Sequence, residues 1–299
     1  MNVANEPIPP LPYSGSRLKE HQAGKIVSRY GTDQSGLVEY RFNSLGFRGE
    51  EYDPDAEFRV LICGSSTAFT TGVPDEDTWW HMLKAPLAAQ KGISPDAINV
   101  LNFAEGGCSY DYVSRVTLTQ AERVRPDIIV ISTGAIKCGE LITDKIEEIA
   151  DRGFNISRGL MKYARNPDPE SLKVPDNPDI GLDAWREIFH KAVSYFGFNT
   201  GSTFLLDALK NLYIVQAYCE SRNIPFVCWA RKRDSLQTQL AQRNLSKPVS
   251  EFLELINVSR VLSLDIDNID KANDGLHPGP RAQAFIASEV MKTLKSLYG

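Results

Sequence analysis

Ser66 and His277 are the residues of this chain whose types and surroundings point most directly to chemistry. Ser66 lies in a turn of small residues that follows the apolar run Arg59-Val-Leu-Ile-Cys63. His277 stands three residues after Asp274, directly before a proline and a helical pattern. A serine hydroxyl is a weak nucleophile that needs a base, and an imidazole held by a carboxylate can serve as that base. These residue types predict nucleophilic acyl chemistry at Ser66.

Each of these residues also has an ordinary structural interpretation. A serine in a small-residue turn is commonly just a turn residue. Asp274-Gly275 is a turn signal, and His277 can cap a last helix that has Pro278 at its first position. The combination of all three at predicted strand ends favours the chemical interpretation. The turn is not the Gly-x-Ser-x-Gly elbow of α/β-hydrolases, because Ala68 occupies the position of the last glycine.

Two glycines follow a second strand-like run, in the segment Asn102-Phe-Ala-Glu-Gly-Gly107. A glycine at Gly107 lets a backbone amide point toward a substrate oxygen. Together with the amide of Ser66, it would form an oxyanion hole. The alternative is a flexible loop that joins a strand to a helix.

Strand-like and helical patterns alternate from Arg59 onward, which predicts a parallel sheet with helices on both faces. Ligands of such sheets bind beyond the carboxyl ends of the strands, where Ser66, Gly107 and Gly134 each follow a strand. The strand-like runs are Val60–Cys63, Asn99–Phe103, Asp127–Ser132, Pro225–Ala230 and Val261–Leu264, and the helical stretches lie near 77–90, 110–124, 204–222, 249–258 and 279–297.

Two regions depart from this alternation. Residues 1–57 contain two runs of alternating apolar and polar residues, 25–30 and 37–42, which predict a β-hairpin. We expect this extension to precede an α/β domain over residues 58–299. Residues 135–203 interrupt that domain and predict a helical insertion, with helices at 144–150 and 182–196. An insertion of this length is either a functional lid or a surface elaboration.

Composition excludes several classes of partner. The 299 residues carry a net charge of -5 without a block of like charge, which argues against a nucleic-acid or anionic-membrane surface. The five cysteines form no C-x-x-C pair, so we expect neither a metal site nor a disulfide framework. No apolar run reaches the roughly 18 residues that span a bilayer, and no signal peptide is visible. We therefore expect a cytoplasmic protein.

Four segments together resemble the SGNH (GDSL-like) hydrolase family. The segment Gly64-Ser-Ser-Thr-Ala-Phe-Thr-Thr-Gly-Val73 is similar to the family's first block, and the segment that ends at Gly107 is similar to the second. Asp274-Gly-Leu-His277 resembles the fifth block. The upstream segment Asn43-Ser-Leu-Gly-Phe-Arg-Gly49 resembles one that precedes the first block in one branch of the family.

The resemblance implies a flavodoxin-like three-layer sandwich with a five-stranded parallel sheet. It implies that Ser66 is the nucleophile, His277 the base and Asp274 the residue that orients the base, and that Ser66 and Gly107 form the oxyanion hole. It implies no metal and no cofactor. The substrates it implies are small-molecule esters, thioesters or acyl-sugars.

One block departs from the family pattern. The family has Gly-x-Asn after the third strand, but here Gly134 is followed by Ile136, which cannot donate a hydrogen bond. Loss of one such donor costs about 2.7–4 kcal/mol. Lys137 is the nearest replacement, although it also reads as an exposed loop residue. Arg231 follows the fourth strand and either binds an anionic group of the substrate or belongs to a solvated loop.

Three functions stay open at this point. The first is ester hydrolysis through an acyl-Ser66 intermediate. The second is acyl transfer in a biosynthetic pathway, with an acyl carrier protein as a possible donor. The third is a non-catalytic binding module on the same fold, which Ile136 favours and the retained Ser66, Asp274 and His277 oppose.

Overall fold

Five parallel strands form the centre of the protein. A computed structural model describes residues 26–29, 38–133, 138–142, 153–157, 201–241 and 245–298. In chain order the strands are β1 (Ile26–Arg29), β2 (Val38–Arg41), β3 (Phe58–Gly64), β4 (Ile98–Asn102), β5 (Ile128–Ser132), β6 (Cys138–Ile142), β7 (Gly153–Ser157), β8 (Phe226–Arg231) and β9 (Val261–Leu264).

The central sheet has the order β4-β3-β5-β8-β9, with every neighbouring pair parallel. Its strands are near-continuous apolar runs because both faces of the sheet are covered. Every residue of β4 and β5 is buried. Gly64, the last residue of β3, pairs with Ser132, the last residue of β5. The turn after Gly64 therefore lies at the carboxyl edge, in the middle of the sheet.

The helices lie in two layers, one on each face of the sheet. Side chains at Leu61 and Cys63 of β3 belong to one apolar cluster, and those at Val60 and Ile62 belong to the other. Within the described residues the α-helices are α1 (Ser66–Phe69), α2 (Trp79–Met82), α3 (Lys84–Lys91), α4 (Tyr110–Val124), α5 (Gly201–Arg222), α6 (Leu236–Ala241), α7 (Lys247–Leu253) and α8 (Pro280–Tyr298).

Residues of α4, α5 and α7 belong to the first cluster, whereas α2, α3 and α8 contribute to the second. The arrangement is three layers, with helices on both faces of a parallel sheet. This confirms the predicted fold class and the five strands that the apolar runs indicated.

The predicted N-terminal hairpin is present, since β1 pairs antiparallel with β2. In β2 the residues alternate between buried and exposed, and Val38 and Tyr40 are buried. Both belong to the same apolar cluster as Val60 of β3. The domain boundary between residues 57 and 58 stays a prediction.

Two stretches differ from the expected elements. The region 77–90 is not one helix but a 3-10 turn followed by α2 and α3. Pro86 explains the break, because it has no N–H to offer the carbonyl four residues earlier. The predicted helical insertion contains a pair of antiparallel strands, β6 and β7. The helices predicted at 144–150 and 182–196 lie outside the described residues.

Candidate active site

Ser66 begins α1, a single helical turn directly after β3. Gly64 allows this turn, because its φ is +155° and an added Cβ would stand 2.5 Å from the carbonyl oxygen of Ser132. Only glycine fits so close an approach between the ends of two strands. The hydroxyl of Thr67 lies 3.1 Å from that of Ser132 and 3.3 Å from that of Ser65. These bonds fix the turn against β5.

Asp274 and His277 form one tight turn between β9 and α8. The backbone amides of Leu276 and His277 both donate to Oδ1 of Asp274, each at 2.9 Å. Oδ2 of the same carboxylate is hydrogen-bonded to Nδ1 of His277. Both oxygens of Asp274 are therefore engaged, and the carboxylate sets the orientation of the imidazole.

The other ring nitrogen of His277 meets Ser66. Nε2 lies 2.8 Å from Oγ of Ser66, although 211 positions separate the two residues in the chain. With a carboxylate at Nδ1, that nitrogen carries the proton and Nε2 is left to accept from the hydroxyl. The three predicted residues thus form one continuous chain of hydrogen bonds, from carboxylate through imidazole to hydroxyl.

The charge of Asp274 is stabilised by its surroundings. Burial alone would raise the pKa of its carboxyl group, but the amides of His277 and Leu276 and the imidazole hold the pKa below its ordinary value. The side chains of Asp274 and His277 are 15% and 19% exposed. The pair is largely shielded from solvent.

Hydrogen bonds to the start of α8 and within the loop hold the turn that carries Asp274 and His277. Asp270 accepts hydrogen bonds from the amides of Arg281 and Ala282 at 2.9 and 2.8 Å, and so caps α8 from across the loop. Inside the loop, the amide of Ala272 donates to the carbonyl of His277 at 2.8 Å. The position of the imidazole is therefore set by both ends of one short loop.

Gly107 lies where the sequence placed it, in the turn after β4. Its φ is +78°, a left-handed conformation that favours glycine, and the residue is exposed. Within the described ranges, the amides of Ser66 and Gly107 have no hydrogen-bond acceptor. The assignment of these two amides as an oxyanion hole stays a prediction.

Of the remaining predicted site residues, the structure describes Arg231. Gly134, Ile136 and Lys137 lie outside the described residues. Nε of Arg231 lies 3.1 Å from a carboxylate oxygen of Asp234, and its Nη1 lies 3.7 Å from one of Asp267. The predicted anion-binding guanidinium thus contacts carboxylates of its own chain.

Arg48 lies in the upstream segment that resembles one preceding the family's first block, but the sequence alone assigned this residue no role. Its guanidinium is fully buried and donates to the carbonyls of Phe69 and Thr70 at 3.0 and 2.8 Å and to that of Val73 at 2.6 Å. It also pairs with Asp75, at 2.6 Å. The signals for this role were a single arginine in an apolar, glycine-containing segment and the resemblance of that segment to one in the family.

Tyr40 and Gly72 link the contacts of Arg48 to the loop that carries Asp274. The amide of Gly72 donates to the hydroxyl of Tyr40 at 2.7 Å, and its carbonyl accepts from the amide of Asn273 at 3.1 Å. Tyr40, in the N-terminal region, therefore contacts the segment around Gly72, which follows the Ser66 turn in the chain and packs against the Asp274 turn.

Three further features bear on metals, membranes and a neighbouring thiol. In the part of the chain that the structure describes, no group of three His, Cys, Asp or Glu residues is arranged to hold a metal ion. Within the same ranges, every helix is too short or too polar to span a bilayer. Cys108, adjacent to Gly107, is buried with 1% of its surface exposed.

No family model matches the chain, and no curated protein matches it. Solved structures that resemble it include the psychrotrophic esterase EstA from Pseudoalteromonas sp., a structure inhibited by monoethylphosphonate, with 15% identity and a TM-score of 0.43 over 81% of this chain and 99% of the esterase. The family 3 carbohydrate esterase of Clostridium thermocellum has 10% identity and a TM-score of 0.37, over 81% of this chain and 97% of its own. The acetyl xylan esterase AlAXEase has 12% identity and a TM-score of 0.38, over 80% and 98%. These likenesses are distant, and the geometry of this chain's own residues is the stronger guide to its chemistry.

Proposed function

We propose that the protein is a serine hydrolase that cleaves an ester, a thioester or an acyl-sugar through a covalent acyl-Ser66 intermediate. The observation that carries this proposal is the chain of hydrogen bonds from Asp274 through His277 to Ser66, with 2.8 Å between Nε2 and Oγ. A pure binding site has no need of a hydroxyl aligned on a carboxylate-held imidazole.

In the first half of the reaction, Nε2 of His277 takes the proton from Oγ of Ser66 while Oγ attacks the substrate carbonyl. The carbonyl oxygen becomes an oxyanion, which the amides of Ser66 and Gly107 stabilise. The imidazolium then gives its proton to the leaving alcohol or thiol as the bond to the carbonyl carbon breaks. Ser66 is left as an ester of the acyl group.

In the second half, water replaces the leaving group. His277 takes a proton from water, the resulting hydroxide attacks the acyl carbon, and the same proton returns to Oγ of Ser66 as the acid departs. Asp274 stays charged throughout and stabilises the imidazolium, in keeping with the lowered pKa of its carboxyl group. No metal or cofactor is needed for any of these steps.

The experiment compares Ser66→Ala with Ser65→Ala on short-chain nitrophenyl esters and acyl thioesters. Ser65 is the matched control because it is the neighbouring serine and bonds to Thr67 rather than to the imidazole. We expect Ser66→Ala to lose activity on the order of 10⁴-fold or more, as in other nucleophile knockouts, and Ser65→Ala to retain most of it. Equal turnover in the two variants would reject Ser66 as the nucleophile.

A fluorophosphonate probe separates the enzyme from a non-catalytic binding module. The probe reacts with an activated serine, so the folded wild-type protein should be labelled and Ser66→Ala should not. A folded wild-type protein that remains unlabelled and turns over no ester would favour the binding module.

Acyl transfer is the second candidate, and the residue that favours it is Ile136. An oxyanion site without the usual asparagine suits a reactive thioester better than a stable ester, because the thioester needs less stabilisation. Alcohols and amines should then compete with water for the acyl-Ser66 intermediate. Turnover that rises sharply with such an acceptor, with ester or amide as product, would identify a transferase.

A further inference from the structure

Arg48 is a buried charge that its surroundings hold in one place. Its guanidinium carbon lies 4.1 Å from the centre of the Tyr40 ring, and 1% of the residue is exposed. A charge in such a place is costly unless it is paired and hydrogen-bonded. Arg48 meets this requirement with the carboxylate of Asp75 and with backbone carbonyls of the segment 69–75, which we call the connecting segment.

The connecting segment begins where the Ser66 turn ends. Thr70 closes α1 with a φ of +62°, a left-handed conformation that a β-branched residue rarely adopts. Arg48 stabilises this conformation of Thr70. Its Nη1 donates to the carbonyls of Phe69 and Thr70 and to the hydroxyl of Thr70 at 3.0 Å. The guanidinium therefore holds the closing end of the helical turn that Ser66 opens.

The same segment then passes beneath the acid. An added Cβ at Gly72 would stand 3.2 Å from both the backbone amide nitrogen and the carboxyl carbon of Asp274, so the two backbones are in close contact. Gly72 lies between Thr70 and Val73, whose carbonyls both accept hydrogen bonds from Arg48. The hydroxyl of Tyr40 holds the amide of Gly72 directly.

We propose that Arg48, with Tyr40, is a positioning residue for the Ser66–His277–Asp274 chain. Arg48 fixes the connecting segment, and that segment sets the distance between the turn that carries Ser66 and the turn that carries Asp274. Neither residue touches the reacting atoms. The expected effect on kcat rests on the proposed function. The expected effect on the position of Asp274 and His277 rests on geometry alone.

The test compares Arg48→Lys and Tyr40→Phe with Gln216→Leu. Lysine keeps the charge but cannot reproduce the forked set of bonds, and phenylalanine removes only the hydroxyl. Gln216 is the matched control, since it is buried and bonds to Leu255 and Asn257 in the opposite helix layer. All three are assayed on one nitrophenyl ester at a temperature where circular dichroism shows them folded.

We expect kcat of Arg48→Lys to fall about a hundredfold with a much smaller change in KM, as misplacement of a reacting group predicts. Tyr40→Phe should show a smaller fall in kcat, and Gln216→Leu should lose stability but keep kcat. Unchanged kcat in folded Arg48→Lys overturns the proposal. If Arg48→Lys does not fold, Tyr40→Phe decides, and an unchanged kcat there overturns it.

A spectroscopic readout separates this proposal from the proposed function. The proton between His277 Nδ1 and Asp274 should give a far-downfield NMR signal, assigned by its absence in His277→Gln. We expect that signal to shift or broaden in Arg48→Lys and to stay in place in Gln216→Leu. A wild-type protein that neither hydrolyses esters nor reacts with fluorophosphonate refutes the enzyme, yet an identical signal in Arg48→Lys and wild type refutes the positioning role on its own.

Discussion

Gly72 lies directly against Asp274, so the connecting segment and the turn that carries Asp274 are packed together. A Cβ added to Gly72 would stand 2.9 Å from that of Ala272 and 3.2 Å from the amide nitrogen and the carboxyl carbon of Asp274. The acid is thus held from below by backbone rather than by a flexible side chain. This contact makes the glycine a sensitive point of the site.

Gly72→Ala should impair catalysis more than its cost in stability explains. The control is Gly92→Ala, because φ is +79° at Gly72 and +71° at Gly92, and an added Cβ at Gly92 meets nothing within 4 Å. Both variants bear the left-handed strain of about 1–2 kcal/mol, but only the first displaces Asp274. We expect kcat to drop in Gly72→Ala alone. Equal kcat values in the two folded variants would contradict the contact.

Gly64→Ala should be strongly destabilising, because the new Cβ would approach the carbonyl oxygen of Ser132 to 2.5 Å and Cβ of Ala68 to 2.8 Å. Overpacking of this kind costs about 1–3 kcal/mol, to which the left-handed backbone adds its own strain. Gly106→Ala is the control, since nothing lies within 4 Å of its Cβ and its φ is ordinary. Urea unfolding measures both. A loss of stability as small in Gly64→Ala as in Gly106→Ala would argue against the close strand contact.

Asp274→Asn should change how stability depends on pH. The pKa of Asp274 is lowered from its ordinary 3.8 in the folded protein, so its contribution is complete above that value and is lost as pH falls through the folded pKa. The difference in unfolding free energy between wild type and Asp274→Asn should therefore shrink below about pH 4. Urea unfolding at neutral and acid pH measures this. A difference that stays constant or grows toward acid pH would contradict the lowered pKa.

Arg231→Gln should lower stability and leave KM for a neutral ester unchanged, because the guanidinium contacts Asp234 and Asp267. Lys232→Gln is the control, since its pair with Asp265 is exposed and should contribute about 1 kcal/mol or less. Thermal unfolding and KM values for a neutral and an anionic ester decide the matter. A rise in KM for the anionic ester alone would show that Arg231 binds substrate after all.

The sheet and the Ser66–His277 contact were both predictable, for related reasons. Apolar runs such as Ile128–Ser132 read as strands because both faces of a parallel strand are buried. Once the strands are parallel, their carboxyl ends share one edge, and residues just beyond those ends come together. Predicting the position of His277 also required the local turn that begins at Asp274. The three-residue spacing of the two residues indicated that turn.

The supporting contacts were not predictable, because they depend on chain packing rather than on local pattern. Arg48 bonds to residues 21 to 27 positions away, and nothing in its own segment specifies those partners. The strands Cys138–Ile142 and Gly153–Ser157 were missed since each is short and lies in a region where helical patterns dominated the interpretation.

The 211 positions between Ser66 and His277 have a consequence for synthesis. At about 5–20 residues per second, a ribosome needs roughly 10–40 s to add the stretch between them. During that interval a nascent chain carries the hydroxyl without its base. In the proposed mechanism, Ser66 can therefore attack an ester only after the late turn that carries His277 has docked onto the early turn that carries Ser66.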